Sequence, residues 1–481
     1  MGRGMANWDL KDLEYWDDAI RERVADVGLD CYQQEFEVCD HNQMLGFMAY
    51  HGMPAHYPHW SFGKTYEKTK TMYDHGVSGL PYEMVINSDP CLAYLMRDNS
   101  LCLQILTIAH VYGHNDFFKC NFTFGNTTRA DQTLAQFKTR ADRVRDYEED
   151  PSIGVERVEA LIDAAHALSM NCRRNPAIRK LKPEEQRQRA IEAAEPRSDP
   201  FARLHRRPEY VEPDLRQVPL EPEEDILLFI RDHNRHLQAW EQDVLTIVHE
   251  EAQYFLPQIE TKIMNEGWAS YWHHQIMNSL QLPQDIYLEF LVRHNQVICP
   301  HPGGINPYHV GFKIWHDIVR RFEEPTAAEI EAYGPHDKSG RDKIFEVRET
   351  DRDVSFLRRF LTEELMRDLD LFEYEPRGDN LVVTKVSDED SWREVKETLI
   401  QTVGMNAQPV IRIYDADYGN NRALYCKHEY DGRDLHIGYA EKTLGYLHQL
   451  WGHRVLLETL MKGKKTLLSY GEHGFDAKLM R

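Results

Sequence analysis

Apolar positions recur with a period near 3.6 through most of the chain, and the stretches that keep this period predict helices. Residues 11–26 form one. From Asp89 to Phe118 the pattern again reads as helical, and Leu101–Phe118 is apolar almost all round, which marks a buried helix. Another is expected over Val155–Met170. A helical block opens at Pro222-Glu223-Glu224-Asp225 and runs to about Phe322. It is interrupted at Pro257, at Pro283 and in the loop Cys299-Pro300-His301-Pro302-Gly303-Gly304. Two prolines keep His51–Trp60 out of any helix, and Pro81–Asn87 reads as a short strand. Near the C-terminus Leu381–Thr384, Val410–Tyr414, Leu424–His428 and a stretch around Leu435–Ile437 read as strands, with helices over Trp392–Val403 and Lys442–Leu450.

These elements predict a predominantly α protein, α+β overall. Residues 1–172 and 223–375 would be two helical parts of one main domain. Residues 376–481 would form a small C-terminal α+β module. Residues 173–222, rich in Arg, Glu and Pro and poor in large apolar side chains, read as a charged insertion or linker.

Charge narrows the partners. The 481 residues carry 57 basic against 79 acidic side chains, a net −22. Such an excess repels phosphate backbones, so nucleic acid is not an expected ligand. No stretch approaches the roughly 18 uncharged apolar residues that span a bilayer, and the first residues lack an apolar export segment. A cytosolic protein with no membrane partner is expected. The eight cysteines are scattered without a C-x-x-C pair, which fits isolated reduced thiols.

The candidate chemistry lies where ionisable residues fall on apolar helix faces. Between Asp243 and Leu256, Val244, Ile247, Val248 and Phe255 form a stripe with Glu251 in its middle. Across Gln258–Met277, Ile259, Ile263 and Met277 share a face with Glu266, Ser270 and His273. Gly267, beside Glu266, permits close approach of another backbone or a ligand. In the third helix His110 and His114 stand four residues apart, one turn, the spacing with which two imidazoles chelate one metal ion. His166 lies on the stripe of Val155, Val158 and Ile162. A buried carboxylate needs a partner, a hydrogen bond or a metal. These residues therefore read either as a metal site or as a Glu–His network tying helices together.

Several strings carry a resemblance. Tyr254-Phe255-Leu256-Pro257-Gln258, Thr261-Lys262-Ile263-Met264, Asn265-Glu266-Gly267-Trp268-Ala269-Ser270 and Trp272-His273 are similar to the signature of the stage V sporulation protein R (SpoVR) family. So are Gly79-Leu80-Pro81-Tyr82-Glu83, His110-Val111-Tyr112-Gly113-His114-Asn115-Asp116-Phe117-Phe118 and Asn306-Pro307-Tyr308-His309-Val310-Gly311. The resemblance runs from about residue 9 to the C-terminal module. It implies a link to the spore cortex, a peptidoglycan layer, and to two partners, a PrkA-type serine kinase and a von Willebrand A-domain protein. It implies no single reaction.

A more distant resemblance is to gluzincin metallopeptidases. In these an H-E-x-x-H helix supplies two zinc ligands and a later helix a glutamate, sometimes in an E-G-x-A context. His110 and His114 match the histidines, and Glu266-Gly267-Trp268-Ala269 resembles the later helix. Two departures stand out: Val111 replaces the glutamate base, and Glu266 lies farther along the chain than is usual. The expectation is a hydrolase of amide or peptide bonds, acting on a cell-wall peptide. His110, His114 and Glu266 would hold zinc, iron or manganese, His273 or a water would complete the shell, and Glu251 would be the base. The rival expectation is a non-catalytic regulatory protein bound to the kinase system. A ferritin-like di-iron site lacks the pair of E-x-x-H motifs it would need.

Overall fold

Helices dominate the computed structural model, which describes residues 8–75, 81, 83–174, 179–194, 212–300, 304–335, 337–377, 380–386 and 392–480. Gly79, Leu80, Tyr82, loop residues 301–303, and 175–178 and 195–211 of the expected linker lie outside them. The chain divides into two units, Met1–Arg143 with Gln253–Ala407, and Val144–Ala252 with Gln408–Arg481.

The first unit is built on the helix Leu101–Cys120, which the Ser100 hydroxyl caps by accepting from the Leu103 N–H at 3.3 Å. Its sides are buried from Gln104 to Phe118. Buried polar groups must be paired, and the pairs found here fix the helix in place. Asn115 accepts from the Tyr32 N–H (2.7 Å) and donates to Gln34 Oε1 (2.9 Å). Asp116 accepts from the Asp30 N–H (2.8 Å), the Trp268 indole (2.8 Å) and the Arg348 guanidinium (2.6 Å).

The helix Lys262–Ser279 lies against it at backbone distance. A Cβ on Gly113 would meet Ala269 Cα at 2.6 Å. On its other side runs the helix Pro307–Glu323, and a Cβ on Gly267 would sit 2.4 Å from Gly311 Cα. The close approach expected beside Glu266 is therefore made by a backbone. Asp353 caps the middle helix, accepting from the Ile263 and Met264 N–H groups at 2.9 Å each.

Two expectations are corrected in this unit. Pro257 does not end its helix: Ala239–Glu260 runs through it, and the break falls at Thr261, whose hydroxyl donates to Pro257 O at 2.7 Å. A proline costs a helix one donor and crowds the carbonyl four residues before it, but that is the loss of one bond and need not end the helix. The second correction concerns Asp89–Phe118, which is not helical throughout, since Cys91–Met96 is a strand. It is β3, central in a sheet of order β1 (Gln34–Cys39), β3, β2 (Glu83–Ile86), parallel to β1 and antiparallel to β2. A strand buried on both faces reads as a continuous apolar run, which periodicity does not separate from a buried helix. The hairpin β4 (Phe372–Arg377) and β5 (Asn380–Val386) and the helix Trp392–Thr402 also belong to this unit.

In the second unit β6 (Ile411–Tyr418), β7 (Ala423–His428), β8 (Val455–Met461), β9 (Lys464–Gly471) and β10 (Gly474–Leu479) form one sheet of order β10-β9-β8-β7-β6. β7 and β8 are parallel, joined by the helix Ile437–Trp451, and the other pairs are antiparallel. The strand expected around Leu435–Ile437 is absent. His436 instead caps the crossover helix, its ring accepting from the Tyr439 N–H at 3.4 Å. The helix Val155–Leu168 packs on that crossover helix. No described helix is long and apolar enough to cross a membrane.

Candidate metal centre

Three elements of the first unit converge. β2 contributes Glu83 at its first position, the helix Leu101–Cys120 contributes His110 and His114, and the helix Lys262–Ser279 contributes Glu266. One donor atom from each lies within 4.8 Å of the other three. His110 Nε2 is 3.1 Å from Glu83 Oε1 and 3.7 Å from Glu266 Oε2, and His114 Nε2 is 3.7 and 3.4 Å from the same two atoms. Ligands about 2.0–2.1 Å from a zinc ion in a tetrahedron stand roughly 3.3 Å apart. The observed spacings bracket that value, so the residues present fit a single divalent ion.

Electrostatics hold the four groups charged when only protons are present. Burial opposes ionisation of Glu266, but Lys262 and the two imidazoles keep it well below the usual carboxylate range. Glu83 is lowered in the same way by His110 and His114 against its burial. Burial also opposes a charge on His114, yet hydrogen bonds to Glu266 and Glu83 lift it to about 10. His110 is raised against its burial by Glu83 and Glu266.

The outer face of each imidazole is engaged. His114 Nδ1 lies 2.8 Å from Asn265 Oδ1, and His110 Nδ1 lies 2.8 Å from His273 Nδ1. His273 Nε2 is in turn 2.8 Å from His294 Nδ1. Burial and then neighbouring imidazoles hold His273 well below the usual range, and the same causes push His294 down to about 3. Both rings are therefore neutral and able to accept. With His110 Nε2 turned to a metal, its Nδ1–H donates to His273, and the His273 Nε2–H donates to His294. Such outer partners orient metal-binding imidazoles and fix their tautomer.

The centre opens on a cavity of about 270 Å³, whose polar lining includes Glu83, His114, Glu266, Lys262, Asn265 and Tyr308. Lys262 reaches Glu266 Oε1 at 2.5 Å. Glu83 Oε2 is buried with no hydrogen-bond partner among the described residues.

Of the residues singled out in the sequence, His110, His114 and Glu266 come together. His273 stands behind His110. Glu251 is buried at 4% exposure on Ala239–Glu260, in the stretch that belongs to the second unit, and is not one of the four. His166 lies in the second unit, and Val111 is fully buried. Glu83 was not singled out, although it ends the string Gly79–Glu83. The available signal was a carboxylate opening an otherwise apolar strand, Glu83-Met84-Val85-Ile86. The eight cysteines are free, and burial pushes the Cys120 thiol up to about 12, away from a thiolate role.

Comparison with known sequences bears on this site. Residues 7–408 match the family described as SpoVR like protein, and residues 409–462 match the SpoVR-like C-terminal domain. The chain belongs to the SpoVR family. A SpoVR relative in Escherichia coli strain K12, the uncharacterized protein YcgB, is 35% identical over 462 residues, 91% of this chain and 90% of its own length. No solved structure matches. All four residues of the centre lie within the first SpoVR segment.

Proposed function

We propose that this SpoVR chain is a metal-dependent hydrolase of amide or peptide bonds, with Glu83, His110, His114 and Glu266 holding zinc, iron or manganese. One observation carries the reading: four donors from three separate elements meet, and three of the four residues open on a cavity. A structural zinc is enclosed by four protein ligands, whereas a catalytic ion keeps one position for water. His110, His114 and Glu266 would be the lasting ligands and Glu83, which lines the cavity, the one that gives way to water. A divalent ion there would polarise a carbonyl and make a water nucleophilic near neutral pH. In the reaction the water oxygen bonds to the carbonyl carbon, the C–N bond breaks, and the leaving nitrogen takes a proton. Glu83, once water has taken its place on the ion, would be the carboxylate to accept the water's proton, with Glu251, the base expected from the sequence, as the alternative. Glu251→Gln with metal retained and turnover lost would assign the role to Glu251. A cell-wall peptide in the cytoplasm is the substrate class in keeping with the family's link to the spore cortex.

A second reading has its own support. Without a metal the two carboxylates and two imidazoliums pair with one another and fasten β2 to two helices. The chain would then act as a regulatory partner of a PrkA-type kinase and a von Willebrand A-domain protein. Elemental analysis of untagged protein purified without chelators separates the two. Near-stoichiometric metal, lost from folded His110→Ala and Glu266→Ala variants, supports the enzyme. Protein that stays metal-free after reconstitution overturns it in favour of the regulator.

A further inference from the structure

The polar and apolar walls of the cavity differ in a way that selects a ligand. Among the described residues, Lys262 is the one lysine or arginine lining it. It sits one turn before Glu266 on the same helix, and its ammonium bonds Glu266 Oε1 while Oε2 of the same carboxylate faces the two imidazoles. A positive charge therefore stands one carboxylate's width from the metal position. The Lys262 side chain keeps 59% of its surface exposed against 8% for Glu266, and an ammonium has three N–H donors. Asn265 adds a donor: its Oδ1 faces His114 Nδ1, which leaves the amide nitrogen to give hydrogen bonds. Pro81, Met84, Val85 and Phe118 give the cavity its apolar lining.

Charge balance points the same way. A divalent ion and Lys262 against the carboxylates of Glu83 and Glu266, with neutral imidazoles, leave one net positive charge, which a single anion neutralises. The cavity, at about 270 Å³, is smaller than the roughly 300–1,000 Å³ of pockets for drug-sized ligands. We infer that the cavity binds a short amide whose free carboxylate lies next to the scissile bond, an N-acylated amino acid or the C-terminal residue of a peptide, with the carboxylate on Lys262 and Asn265. This rests on the metal-centre reading and makes the enzyme act on chain ends, since a free α-carboxylate next to the scissile bond occurs only at the C-terminus of a peptide.

The test is calorimetric titration of the zinc-loaded full chain with two probes, acetohydroxamate and malonic monohydroxamate, alike except for the added carboxylate. A charge-assisted contact predicts binding of the second at least about tenfold tighter. Lys262→Met should bring that preference below about threefold, and Lys262→Arg should retain it. Equal binding of the probes by wild-type protein overturns the inference, as does a preference that survives Lys262→Met. If Lys262→Met does not load zinc, wild type and Lys262→Arg decide between them: a preference kept in both supports the inference, and its loss in Lys262→Arg overturns it. Failure of wild-type protein to load zinc sinks the metal reading first and the carboxylate inference with it, a result distinct from zinc bound without preference.

Discussion

Acidifying the solution from about pH 8 to about pH 6 should weaken metal binding far more than for a site with ordinary histidines. In the metal-free chain His114 titrates at about 10, because Glu266 and Glu83 outweigh its burial. An ion must therefore displace a proton. At pH 7, removing a proton from a group with that pKa costs about 4 kcal/mol. Each displaced proton lowers the apparent association constant about tenfold per pH unit, so the His114 proton alone gives about 10²-fold across the range, and the raised His110 adds to the fall in the same direction. The sign for the bare fold is opposite. The raised His114 pKa adds stability to the metal-free chain that is fully present below the unfolded value of 6.5 and is lost as pH rises towards 10. The assay is competition against a chelator of known, pH-corrected affinity, with calorimetry in two buffers of different ionisation enthalpy to count protons released. Affinity that stays flat over the range, with no proton release, would refute the charge-paired description of the centre.

Three substitutions, one of them a control, probe what holds the site. Gly267→Ala puts a Cβ 2.4 Å from the Gly311 backbone, so it should cost about 1–3 kcal/mol or more, read as a lower Tm, whereas Gly46→Ala, with open space around it, should be neutral or slightly stabilising. Equal Tm shifts for the two would show that the helices do not depend on that contact. His273→Leu removes the Nδ1 partner of His110, so metal affinity should fall about 10–100-fold with the fold intact, and unchanged affinity would mean that the histidine chain does not position the ligand.

What could be read from the residues alone followed from local chemistry. The i,i+4 pair His110/His114 and the apolar run around it placed two imidazoles on one buried helix. Glu266 and His273 stood out because they occupy apolar positions, and both are buried. The helix over residues 11–26 appears as Leu10–Asp26, and the mostly helical class with strands near the C-terminus is what the chain adopts. Local period failed at Cys91–Met96, where burial on both faces erases alternation. It also missed β8 to β10, although Lys462-Gly463, both at positive φ, supply the tight turn between β8 and β9.

Tertiary structure alone decided which distant segments share a centre. Glu83 comes from β2, which pairs antiparallel with β3, and no local period shows that this strand end faces a helix near residues 110 and 114 and another near residue 266. Gly267 announced a close approach, but only the fold shows that Gly311 makes it. Helical phase brought Glu251 and Glu266 inward alike, yet phase gives the direction from one helix axis and says nothing about which axis lies opposite. Backbone contacts at Gly113, Gly267 and Gly311 bring the helices Leu101–Cys120, Lys262–Ser279 and Pro307–Glu323 together and so set Glu266 against the two histidines.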